Sequence, residues 1–108
     1  MSKRQTQMAE AIAHMAADFF ARESNGESLI TVTRADISPD LKNIKIYISV
    51  LPIEKEKAAI AFAKRVRTDF REYLKSKSAL NVIPTVDFIV DLGEKNRQSV
   101  DEAIRRSS

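Results

Sequence analysis

The sequence contains no cysteine, no tryptophan, one histidine and only two glycines. Without cysteine there is no disulfide, no thiolate zinc site and no cysteine nucleophile, which fits a reducing compartment and makes the cytoplasm the expected location. With glycine only at positions 26 and 93, no glycine-rich loop can cradle a nucleotide's phosphates. The single histidine, His14, has neither cysteine nor a second histidine with which to share a metal or relay a proton. The acidic residues fall in no catalytic spacing. The expectation is a non-enzyme needing no cofactor and no metal. No apolar run approaches the roughly 18 residues of a membrane span, and the amino-terminal stretch lacks the pattern of a secretory signal.

What is present is well patterned. A chain of 108 residues suits one domain, read here as residues 1–92 followed by a polar tail, 93–108, that is either a weak helix or unstructured. Met8, Ile12, Met15 and Phe19 recur at helical spacing, with Ala11, Ala16 and Phe20 widening the stripe, and predict an amphipathic helix over about residues 4–23, with Asn25-Gly26 as its stop signal. The β-branched stretch SLITVTRADI and the segment NIKIYISVL flank Ser38-Pro39-Asp40, which predicts an antiparallel hairpin. In its second strand Ile44, Ile46, Ile48 and Val50 share one face, and Lys45, Tyr47 and Ser49 the other.

Apolar residues from Ala59 to Leu74 return to helical spacing and predict one longer helix over residues 54–76. KSALNVIP then reads either as its irregular last turns or as a short extra helix. TVDFIVD, alternating Val86, Phe88 and Val90 with polar neighbours, reads as a third strand. Some thirty intervening residues suit a crossover that lays this strand parallel to a neighbour. The result is an α+β fold: a three-stranded mixed sheet covered by helices.

The net charge of +3 is concentrated in one place. Segments 1–23, 24–52 and 53–63 are each balanced, whereas 64–77 carries six cations against Asp69 and Glu72. On one continuous helix Lys64, Arg67, Arg71 and Lys75 would form a row about one turn apart, a suitable ladder for phosphates. The alternative is an ordinary solvated outer face. The shortage of glycine excludes the GXXG loop of ordinary KH domains, and aromatic residues are too few for a base-stacking sheet. RNA, if bound, is read through shape and phosphates.

Three stretches carry a resemblance. TVTRADISPDLKNIKIYISVL, VIPTVDFIVD and KNRQSVDEAI are similar, in order and spacing, to the signature hairpin, third strand and closing segment of the bacterial ribosome-binding factor A family. The resemblance implies a KH-like type II fold, α-β-β-α-α-β, and a small-subunit assembly factor. Such a factor binds immature small subunits and their rRNA, supports late maturation and 5′-end processing, aids growth in the cold and is released by a ribosome-associated GTPase. It implies a protein that is monomeric when free. Where that family has an alanine-x-glycine kink, this chain reads Val66-Arg67-Thr68, from which a straighter helix is expected. The candidate RNA-binding residues are therefore Lys42 and Lys45 on the hairpin and Lys64, Arg65, Arg67, Arg71, Lys75 and Lys77 on the helix. Reversing Arg67 and Arg71 should weaken binding and leave the fold intact. The second functional reading is a protein-interaction module centred on the polar strand face around Tyr47, without RNA binding.

Overall fold

The computed structural model describes residues 2–23, 28–78, 80 and 82–93, so Asn25-Gly26 and nearly all of the polar tail lie outside the described residues. Helix α1, Lys3–Glu23, opens with a reciprocal cap that its amphipathic stripe alone did not announce. The Gln5 amide donates to Ser2 Oγ at 3.2 Å, and the Ser2 amide donates to Gln5 Oε1 at 3.0 Å. Its buried residues are Ala9, Ile12, Ala16, Phe19 and Phe20. Ile12, Ala16, Phe19 and Phe20 of the expected stripe are buried, whereas Met8 and Met15 flank the core half-buried and Ala9, not the exposed Ala11, completes the buried line.

Strands β1, Leu29–Ile37, and β2, Asn43–Leu51, pair antiparallel, with Ile37 opposite Ile44 next to the turn. The turn is a network of short local bonds. The Leu41 amide donates to the Ser38 carbonyl at 2.9 Å, and the Asn43 amide to Ser38 Oγ at 3.1 Å. Ser38 Oγ in turn donates to Asp40 Oδ1 at 2.6 Å, and that carboxylate also accepts the Lys42 amide at 3.0 Å. Leu41 closes the turn with φ of 63°, a left-handed conformation that costs a leucine energy and is held by these bonds and by packing of its side chain on the core. Beyond the turn, Ile44, Ile46 and Ile48 are no more than 1% exposed, so a one-residue slip would carry the hydrophobic face into water.

After Leu51 a 3-10 turn, Ile53–Lys55, leads into α2, Glu56–Arg65, and then α3, Arg67–Lys77. The single straighter helix expected over 54–76 is not what forms. The chain breaks at Val66 (φ −93°, ψ 10°) with no glycine or proline present, and the second and third helices of the α-β-β-α-α-β order arise from this break. The interruption is local, since the Val66 amide still donates to the Phe62 carbonyl at 3.0 Å and the Phe70 amide to the Val66 carbonyl at 2.9 Å. Ala59 and Ala63 are the buried residues of α2, which packs on β2 and β3, and Phe70 and Leu74 those of α3, which packs on α1 and β3. Helix α3 ends at Ser78, whose Oγ donates to the Leu74 carbonyl at 2.6 Å, and the described residues of KSALNVIP that follow are non-helical.

Strand β3, Thr85–Val90, runs parallel to β2, giving the sheet order β1-β2-β3. All helices lie on the face that carries Ile44, Ile46, Ile48, Val86 and Phe88. Phe19 and Phe20 of α1, Phe70 and Tyr73 of α3, and Phe88 of β3 meet there, with Phe70 centred 5.3 Å from Phe19 and 5.6 Å from Phe88. This is the three-stranded mixed sheet and helix order of the KH-like type II arrangement. Among the described residues no helix is long and apolar enough to cross a membrane.

Two outcomes follow for stability. Phe70→Ala empties a fully buried aromatic site, and urea unfolding is expected to show a loss of about 3–5 kcal/mol, against a smaller loss for Phe70→Leu. The hairpin carries a pH dependence. The Ser38 hydroxyl, and after it the Lys42 amide, hold the Asp40 carboxyl below its ordinary value. A carboxyl lowered by folding stabilises above its unfolded value and loses that contribution as pH falls through its folded one. Asp40→Asn should therefore melt below wild type near pH 7, and the gap should close below about pH 3.9. A gap of constant size would remove the carboxylate from this role.

Candidate nucleic-acid interface

The eight candidate cations are all exposed, but they do not form one group. Lys64 and Arg65 close the last turn of α2, and Arg65 leans toward the Phe62 ring at 5.8 Å. Lys64 and Arg65 precede the interruption at Val66, and the rest of the row expected on one helix follows it. Arg67, Arg71 and Lys75, four residues apart, share one flank of α3, and Lys77 lies in its last turn. Lysines at these two carboxyl-terminal ends face the negative pole of each helix dipole, which favours their being charged where they are. Among the described residues, no ion pair engages any of these six.

Lys42 and Lys45 are placed differently from each other. Lys42 sits in the hairpin turn, and its carbonyl accepts the Thr85 amide at 2.8 Å, which brings the turn beside the start of β3. Lys45 projects from the helix-free face of the sheet, in register with Asp36 on one side and Asp87 on the other. That face also carries Asp91, so it offers phosphates a poorer field than α3 does.

Arg71 departs most from expectation. Its Nε donates to the Pro84 carbonyl at 3.2 Å and its Nη2 to the Ile83 carbonyl at 3.3 Å. These are carbonyls of the segment entering β3, upstream of the sheet ladder. Reversal of Arg71 would put a carboxylate against two carbonyl oxygens, so the expectation that it leaves the fold intact is withdrawn.

On the helix-free face the structure adds a cluster. Arg34 lies 3.7 Å above the Tyr47 ring, is bonded to Asp36 at 2.8 Å and lies 3.9 Å from Asp91. Beside it the strand register shifts between Val32 and Arg34. Thr33 at this irregularity donates from Oγ1 to Asp91 at 2.6 Å and lies 3.2 Å from the Tyr47 carbonyl, tying β1 to the end of β3. The signal for the stacked pair was available: Arg34 and Tyr47 stand at matching distances from the hairpin turn. Nothing marked Thr33, since the irregularity uses no glycine. Because the Asp91 side chain is only 14% exposed, Thr33→Val should lower stability by about 1–3 kcal/mol in urea unfolding, and Thr33→Ser by less.

His14 is exposed on one wall of a groove of about 570 Å³ between α1 and β1, lined mainly by alanines and by Val32, Thr33 and Arg34. Among the described residues no three His, Cys, Asp or Glu side chains are grouped to hold a metal.

Known proteins resemble this chain in sequence and share its fold. Ribosome-binding factor A of Coxiella burnetii is 28% identical over 109 residues, an alignment that covers 99% of this chain and 92% of that protein. The crystal structure of ribosome-binding factor A from Thermus thermophilus superposes with a TM-score of 0.72 at 15% identity, over 80% of this chain and 94% of that one. A model of the Thermus thermophilus factor, fitted into an electron-microscopy map of its complex with the 30S subunit, superposes with a TM-score of 0.66 at 16% identity, over 83% and 93% of the two chains. The ribosome-binding factor A family as a whole matches residues 4–104, and this chain belongs to that family.

Proposed function

We propose that this protein is a non-catalytic assembly factor that binds immature small ribosomal subunits and contacts their rRNA through α3 and the end of α2. Family membership supports the partner, as does the relative fitted into a 30S complex. The observation that carries the surface is the segregation of charge. Arg67, Arg71, Lys75 and Lys77 lie on α3 without ion pairs among the described residues, while the sheet face sets Asp36, Asp87 and Asp91 against Arg34 and Lys45.

Binding without bond breaking fits this chemistry. Lysine and arginine held along a helix act as fixed positive charges, and displacement of counterions from RNA supplies much of the free energy. The reading extends to support of late maturation and 5′-end rRNA processing in the cytoplasm and to growth in the cold. It extends also to a free monomer and to release by a ribosome-associated GTPase. Lys42, Lys64 and Arg65 extend the surface, and Lys45 contributes least because two aspartates flank it. The protein-interaction reading around Tyr47 finds less support, since Arg34 already covers that ring at 3.7 Å.

Co-sedimentation with immature and mature small subunits across a salt series tests this. Neutralising about four to six phosphates gives a log-log slope on the order of −3 to −5. The double reversal Arg67→Glu, Lys75→Glu avoids the Arg71 contacts and should flatten the slope and weaken binding while the protein melts normally. An unchanged slope would take α3 out of the interface. Failure of the wild type to bind either particle at low salt would overturn the reading.

A further inference from the structure

Five observations meet where α3 passes the entrance to β3. Arg71 is an exposed residue of the cationic flank, yet two of its three nitrogens point inward, to the Pro84 and Ile83 carbonyls. The segment it grips has no helix or strand of its own and presents Val82 with 71% of its surface exposed. One residue on, the Thr85 amide donates to the Lys42 carbonyl at 2.8 Å, and Thr85 is in register with Asn43. The Lys42 amide is fixed in turn by Asp40 Oδ1 at 3.0 Å. A continuous line of hydrogen bonds therefore runs from α3 through residues 83–85 to the hairpin turn.

We infer that Arg71 is a positioning residue: it locks Val82–Pro84 and the hairpin's Lys42 to α3, making one rigid edge that takes the sugar-phosphate backbone of folded RNA. The inference rests on the ribosomal reading above and gives its surface a shape. Arg67 and Lys75 stand one turn to either side of Arg71 on α3, and Lys42 stands beyond the gripped segment. Val82, exposed and next to Ile83 in the gripped segment, supplies an apolar contact suited to the face of a ribose or an unstacked base. Arginine suits the role because its planar fork can satisfy two adjacent carbonyls at once, which a lysine ammonium on a flexible stem does poorly. The guanidinium keeps its charge, so it adds to the field of the edge even while two of its donors are held by the Ile83 and Pro84 carbonyls.

The test uses the full chain and purified immature small subunits across a salt series. Arg71→Lys preserves the charge and loses the fork. The inference expects affinity to fall about tenfold, equivalent to about 1.4 kcal/mol, with the salt slope unchanged. Hydrogen exchange in the same variant should be faster in the segment containing Thr85 and unchanged in α1. Arg71→Lys binding within threefold of wild type would overturn the inference. Weaker binding with exchange at Thr85 as slow as in wild type would also overturn it, because the edge would then stay fixed without the fork and Arg71 would act as a direct phosphate contact. Val82→Asp, at an exposed position where folding is not at stake, is the second variant and should weaken binding by about tenfold or more. Wild-type affinity for Val82→Asp would remove the segment from the interface and the inference with it. Wild-type protein that bound no subunit would instead fail the ribosomal reading itself, on which the inference depends.

Discussion

Phe70 is the contact on which the arrangement of the molecule depends. Its ring is fully buried, 5.3 Å from Phe19 of α1 and 5.6 Å from Phe88 of β3, and Phe20 meets Phe88 at 5.0 Å behind it. Burying one such side chain contributes about 1.5–3 kcal/mol, more than a surface ion pair supplies, so the orientation of α3 is set from inside. With Phe70 and Leu74 turned to the core, positions 67, 71 and 75 fall on the adjoining flank, toward the chain entering β3. The cations therefore face where the aromatic core directs them. This is also why Arg71 reaches Ile83 and Pro84 while its neighbours four residues away do not.

Much of this was legible in the residues, because burial imposes a period that sequence displays. Ile44, Ile46, Ile48 and Val50 are buried at alternate positions, although Ser49 on the other face is buried too, and this strand, its partner and the parallel third strand all form where the sequence predicts them. Helix α1 was legible for the same reason, although its most buried line runs through Ala9 and Ala16 beside the methionines. Ala16 was legible on that line and Ala9 was not, since alanine is common on both faces of a helix. The turn at Ser38-Pro39-Asp40 announced itself, but the left-handed Leu41 did not, because leucine is not a residue expected there.

Less legible were the features created by contact between elements. The interruption at Val66 falls where the buried residues change from Ala59 and Ala63 to Phe70 and Leu74, with no glycine or proline to mark it. Each segment, read alone, continues the same helix. The Arg71 bonds join residues twelve and thirteen apart through an irregular segment, so no local pattern reports them. The position of the Arg34–Tyr47 stack could be counted out from the turn, but its tie through Thr33 to Asp91 spans 58 residues. In the candidate interface, then, the sequence shows which residues are charged, and the tertiary structure decides which act together.

Charge on the two faces is organised in opposite ways. On the sheet, Arg34 is matched by Asp36 and Asp91, and Lys45 stands between Asp36 and Asp87. On α3, Arg67, Arg71 and Lys75 follow one another at four-residue spacing, where like charges repel by about 0.2–0.5 kcal/mol per pair. Asp69 and Glu72 are exposed on the same helix and form no ion pair with these cations among the described residues. Repulsion of this size is small beside the core and so is tolerated in the free protein. A polyanion laid along the flank removes it and adds attraction, so the row that weakens the helix slightly when empty strengthens the complex when RNA is present. The sheet face, with its cations matched by aspartates, has no such reserve to release, and under the function proposed above the asymmetry leaves α3 as the side for RNA.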